Sequence, residues 1–199
     1  MENRNILLDM DGVICDFLNP AARAVDLDLS LVPKGHWDVF AQAGCDVDEV
    51  WGKIDNYEFW ANLPVIPGAK EFVAQLQEHC LSVTILTSSA WSSDGPKGKM
   101  DWLRKHFGKG TKAYICYGGA SKALCAKPNS ILIDDCDRNT DAFEAVGGEA
   151  ILVPRPWNRQ YIGGDLEGTS YTHVNYNYIL RRLGFPGGIP DAGFEESLA

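Results

Sequence analysis

The sequence predicts an α/β fold, a parallel sheet with helices on both faces. Two observations carry this. Short apolar runs recur along the chain, and between them lie stretches whose apolar residues fall at helical spacing. A third observation, a long region without strands after the first run, adds a small helical insert. The 199 residues suit one domain with such an insert, and an apolar fraction of 45% suits a packed core rather than a disordered chain.

The first run, Ile6–Leu8, leads into Asp9-Met10-Asp11-Gly12, after which apolar residues resume at Val13 and Ile14. Val83–Leu86, Ile131–Ile133 and Ile151–Val153 are predicted as further buried strands, with Ala113–Cys116 as a weaker fifth. "PGAKEFVAQLQEHC" reads as a helix, with Pro67 near its start and Ala69, Phe72, Val73 and Leu76 on one side. "KMDWLRKHFG" places Met100, Leu103 and Phe107 together and Gly108 at the C-terminal cap. "DRNTDAFEAVGG", after Ile131–Ile133, is a third helix ending in two glycines. The region 16–64 is too long for an ordinary loop and is expected to form a helical insert above the sheet. Its helical patches are "NPAARAVDL" and "DVDEVWGKIDNYEFW", the latter with Val47, Val50, Trp51 and Ile54 at i, i+3, i+4 and i+7. The expected organisation is a core of residues 1–15 and 65–199 with the insert at 16–64. The insert's aromatics, among them Phe17, Trp37, Trp51 and Trp60, either form its own core or line a pocket. "VNYNYILRRLGF" reads as a last helix and "PGGIPDAGFEESLA" as a mobile acidic tail; "RPWNRQYIGG" could place Arg155 or Trp157 near the strand ends, but no function is read for 154–199.

A net charge of −9 argues against long nucleic acid as a partner but leaves small anions open, because one local cation can override the global field. The six cysteines form no CxxC pair, so they are expected to be small buried hydrophobes rather than zinc ligands. No apolar run approaches the roughly 20 residues of a membrane span. The first residues enter a strand without a signal-peptide pattern, so a cytoplasmic protein with no membrane partner is expected. A homodimer is compatible with the sequence.

In an open parallel sheet, ligands sit beyond the carboxyl ends of the strands. There this chain carries Asp9 and Asp11, then Thr87-Ser88-Ser89, then Asp134 and Asp135, with Lys122 just before the Ile131–Ile133 strand. Each taken alone has a structural explanation: a turn, a helix cap, a solvated lysine. Together they place mutually repelling carboxylates on one rim, which a hard divalent cation such as magnesium would relieve. Lys122 and Thr87 offer a phosphate its cation and hydroxyl donor. An aspartate can accept a phosphoryl group, and a neighbouring acid can protonate the leaving oxygen.

On these residues the chain resembles the haloacid dehalogenase superfamily of phosphatases. "DMDGV", "ILTSS", Lys122 and "LIDD" are similar to that superfamily's four ordered motifs. The resemblance implies a Rossmann-like core with a cap inserted after the first strand. It implies Asp9 as nucleophile, Asp11 as general acid and base, and Thr87 and Lys122 on the phosphoryl group. It places magnesium on Asp9, the main-chain carbonyl of Asp11, and Asp135, with Asp134 assisting. The run "FWANLPVIPGAKEFVAQL" with "VTILTSS" and "KMDWLRKHFG" is similar to the 5'(3')-deoxyribonucleotidases. That implies base or sugar contacts from Phe17 and Trp60, and phosphate contacts from Ser88 and Lys99. "SAWSSDGPKG" departs from the pattern, as does Asn139, which stands where an acid often supports the metal, with Asp137 as a substitute. The expected activity is magnesium-dependent hydrolysis of a small phosphomonoester, a nucleotide first of all. A sugar phosphatase and a catalytically idle binding module are the alternatives.

Overall fold

A computed structural model of the chain describes residues 2–89, 92–161 and 171–189. Five parallel strands form one sheet in the order β3-β2-β1-β4-β5: β1 (Glu2–Leu8), β2 (Cys80–Ser89), β3 (Ala113–Tyr117), β4 (Ser130–Asp134) and β5 (Glu149–Leu152). The central strand β1 aligns Leu8 with Ile85 on one side and with Ile133 on the other. The carboxyl ends of β1, β2 and β4 therefore finish side by side.

Alternate strand residues face opposite layers. Ile6, Leu8, Ile85, Ile131 and Ile133 pack with Phe72 and Leu76 of α5 (Ala69–His79), Trp102 and Leu103 of α6 (Asp94–Phe107), and Ile179 and Leu180 of α8 (Tyr176–Arg182). Leu7, Leu86 and Leu132 face the other way, onto Phe143 of α7 (Asp137–Ala145). Both faces of the sheet are covered, and the apolar runs are continuous for that reason.

Between β1 and α5 lie four helices: α1 (Leu18–Ala24), α2 (Val39–Gln42), α3 (Val47–Ile54) and α4 (Tyr57–Ala61). The chain leaves and returns at one place, since Cys15 forms a bridge with Val65 and the Asp16 N–H donates to the Pro64 carbonyl at 2.9 Å. The patch from Asp46 to Trp60 is two helices rather than one. Asp46 caps α3 by accepting from the amides of Asp48 and Glu49, and Asn56 opens α4 by accepting from the Phe59 amide at 3.0 Å. A side chain that satisfies the free amides of a new helix ends the old one.

The helix around Lys99 also starts earlier than expected. It begins at Asp94 and takes Gly95-Pro96-Lys97-Gly98 into its first turns, where proline lacks no needed hydrogen bond. The second half of "SAWSSDGPKG", from Asp94, is thus helix, while Ala90 and Trp91 fall outside the described residues. The glycines serve packing. A Cβ on Gly98 would stand 2.5 Å from the Trp60 Cβ and 3.1 Å from the Tyr57 carbonyl, so α4 lies directly against α6. Of the expected tail, Ile189 is buried in the main core and its carbonyl accepts from Asn177 at 3.0 Å, while 190–199 lie outside the described residues. Among the described residues no helix is long and apolar enough to cross a membrane.

Candidate active site

Three strand ends build the site. After β1 the chain turns at Met10, whose carbonyl accepts from the amides of Val13, Ile14 and Cys15, and Gly12 adopts φ +72°. This turn aims Asp9 and Asp11 across the top of the sheet. The Asp9 Oδ1 accepts from its neighbour's amide, that of Met10, at 2.8 Å and from the Lys122 ammonium at 2.8 Å. Among the described residues no partner engages its Oδ2.

Lys122 sits on a short 3-10 helix, Gly119–Cys125, and is almost fully buried. Its amine also donates to Asp134 Oδ2 at 2.6 Å. Asp134 accepts further hydrogens from the Cys136 amide at 2.9 Å and from the Asn139 side chain at 3.0 and 3.1 Å. Asn139 is therefore a substitute support at the position where an acid was expected. Asp137 is not part of this network and pairs with Arg159 at 3.3 Å.

Lys99 reaches the same rim from the middle of α6. Its three hydrogens go to the Asp11 carboxylate, to the Thr87 hydroxyl at 3.0 Å and to the Ser88 carbonyl at 2.5 Å. The Ser88 hydroxyl lies 3.8 Å from the Cys116 sulfur, on the neighbouring strand β3. Trp60, expected to touch a base or sugar, is only 2% exposed and packs as a support: its ring centroid is 4.6 Å from the Lys99 amine and 5.5 Å from the stacked Phe17 ring. Phe17 is part-exposed and also stacks with Trp51, which is 40% exposed. The aromatics between β1 and α5 thus form a ladder from the buried Lys99 out to the surface.

Asp9, Asp134 and Asp135 each offer an oxygen within 4.8 Å of the others. Burial pushes the Asp9 carboxyl up to about 7; Lys122 opposes the rise, and Asp134 and Asp11 add to it. Asp135 is held well above the usual carboxylate range, by burial first and then by Asp9 and Asp134. Burial alone would lower Lys122, but Asp134 and Asp9 reverse that and raise it. Four carboxylates meet two ammoniums here, and the Asp135 Oδ1 is buried with no partner among the described residues. The donor set fits a hard divalent cation in oxygen ligands.

A sequence profile of the family described as "5' nucleotidase, deoxy (Pyrimidine), cytosolic type C protein" matches residues 3–181. The chain belongs to this family. It is accordingly a phosphoric monoester hydrolase of the 5'-nucleotidase type within the haloacid dehalogenase superfamily. It is similar to the 5'(3')-deoxyribonucleotidases of Bacillus subtilis (strain 168) and of Bacillus phage SPbeta, each 27% identical over 186 residues, 89% of this chain and 97% of the relative. Its fold is similar to that of the HAD-hydrolase YfnB from Bacillus subtilis, solved bound to magnesium, with a TM-score of 0.54, 13% identity, and coverage of 93% and 100%.

The tail "RPWNRQYIGG" offers Arg155 or Trp157 to the site from sequence without a role for either, and Asn158 is not singled out there; Trp157 and Asn158 both contact Asp135. The signal was available: they follow the carboxyl end of β5, the rule that located the other groups.

Proposed function

We propose that this nucleotidase removes phosphate from deoxyribonucleoside monophosphates with magnesium, through an aspartyl-phosphate on Asp9. One observation carries the mechanism: Lys122 and an amide hold Oδ1 of Asp9, leaving Oδ2 to attack, beside a buried Asp135 oxygen that lacks a partner. The substrate class is supported by the family's description and by the similarity to the two 5'(3')-deoxyribonucleotidases.

Asp9 and Asp135 would hold the magnesium, with the Asp11 carbonyl as the superfamily resemblance implies. Asp134 supports them by gripping Lys122. Magnesium, when bound, supplies positive charge that lets a phosphate dianion approach these carboxylates. The Asp9 Oδ2 attacks phosphorus, the ester P–O bond breaks, and Asp11 gives its proton to the leaving oxygen. Asp11 then takes a proton from water, whose oxygen attacks phosphorus. The P–O bond to Asp9 breaks, releasing inorganic phosphate and restoring both carboxyl groups. An ammonium has three hydrogens, and Lys122 spends two on Asp9 and Asp134, so its third is available to a phosphoryl oxygen. Lys99 has none left and acts by fixing Asp11 and Thr87. We read residues 16–64, closed off at Cys15 and Val65, as the cap over this site.

The test is phosphate release from a panel of nucleoside and sugar monophosphates, with and without magnesium. Deoxyribonucleotides should lead, and only with the metal. Faster hydrolysis of sugar phosphates would reassign the substrate, and no hydrolysis at all would make the chain a binding module. Asp9→Asn should abolish turnover while the fold survives; normal turnover would remove Asp9 as nucleophile.

A further inference from the structure

The chain after β5 folds back over the end of β4. Asn158 donates to the Asp135 carbonyl at 2.8 Å and to the Val153 carbonyl at 2.7 Å, which pins the main chain. The Trp157 indole N–H donates to Oδ2 of Asp135 at 2.8 Å. This leaves Oδ1 as the oxygen of Asp135 that is buried without a partner among the described residues. Gly12 makes room for the pair, since a Cβ there would stand 2.0 Å from Asp135 Oδ2 and 2.9 Å from the Trp157 ring.

Trp157 is itself held in place. It is buried in a cluster with Leu18, Val32 and Val39, and its ring lies 4.5 Å from the Arg155 guanidinium. Arg155 is in turn fixed by donating to the carbonyls of His173 and Tyr171 at 2.6 and 2.9 Å.

We propose that Trp157 is a positioning residue for the metal: its N–H occupies one oxygen of Asp135 and so presents the other to the divalent cation. The inference rests on the magnesium reading above. Groups that orient a ligating carboxylate commonly contribute about 10–100-fold to metal affinity. A tryptophan present only for packing would contribute none.

Trp157→Phe keeps an aromatic ring and removes the N–H. Titration calorimetry with magnesium chloride and no substrate should show binding weakened about 10–100-fold. In turnover, the half-saturating magnesium concentration should rise in the same ratio, while the rate at saturating magnesium returns close to wild type. Val39→Ala opens the same apolar cluster without touching Asp135; it should lower the melting temperature and leave magnesium affinity unchanged. If the phenylalanine variant does not fold, replacement of Trp157 by 3-benzothienylalanine, with sulfur in place of N–H, gives the same comparison. Magnesium affinity within twofold of wild type in the N–H-deleted protein would overturn the inference alone. A wild type that binds no magnesium would overturn it together with the reading it rests on.

Discussion

Burial holds the Asp9 carboxyl at about 7 when no metal is present, against an ordinary value of 3.8. A carboxyl raised in the folded state binds its proton more tightly there than in the unfolded chain, so it favours folding at low pH. That contribution is lost as pH rises through the folded value. In chelator, Asp9→Asn should therefore match wild type near pH 4 and exceed it in melting temperature by pH 8, the difference growing across that window. Thermal scans from pH 4 to 8 check this, and parallel curves would show that Asp9 carries no such strain. Lys122 is the opposite case. It is raised, so its contribution is present at neutral pH, and Lys122→Met leaves Asp9 and Asp134 buried without their cation. We expect a loss of about 3–5 kcal/mol in denaturant unfolding. Turnover should fall by about 10²–10³-fold, as for removal of a single donor to developing charge.

The contact between α4 and α6 depends on a missing side chain. Gly98→Ala would force its Cβ into Trp60 and should cost about 1–3 kcal/mol despite alanine's better helix propensity. Gly52, in α3, has nothing within 4 Å of a built Cβ, so Gly52→Ala should be neutral or stabilising by about 0.4–1 kcal/mol. Urea unfolding of the two variants makes the comparison. This contact also shows where the sequence was legible and where it was not. The strands were readable because Ile6–Leu8 and Ile131–Ile133 are buried on both faces, which leaves an unbroken apolar run. Asp9, Asp11, Thr87, Lys122, Asp134 and Asp135 were readable because each lies at or near a strand end. The first turns of α6 were not, since glycine and proline signal a loop unless a neighbouring backbone needs the space. The position of Trp157 after β5 was legible by the same rule, but its bond to Asp135 was not, since that depends on β5 lying beside β4, a pairing that no local pattern announces.

For the molecule as a whole, magnesium is expected to act as a stabilising ligand. A ligand at a hundred times its Kd adds about 2.7 kcal/mol to a state that binds it and nothing to one that does not. The wild-type melting temperature should therefore climb with magnesium concentration. Asp135→Asn, which weakens the set of oxygens on that rim, should flatten the climb; an equal climb in both would place the ion elsewhere. The strand order has a consequence of its own. β1 is the middle strand, flanked by β2 and β4, and the Asp9 N–H donates to the Ile133 carbonyl at 2.9 Å. Functional residues in many proteins ride on segments that fray early; Asp9 is instead rooted in the ladder that hydrogen exchange should find slowest to open. Loss of activity in rising urea should then coincide with loss of circular dichroism, so that this enzyme fails all at once rather than by degrees.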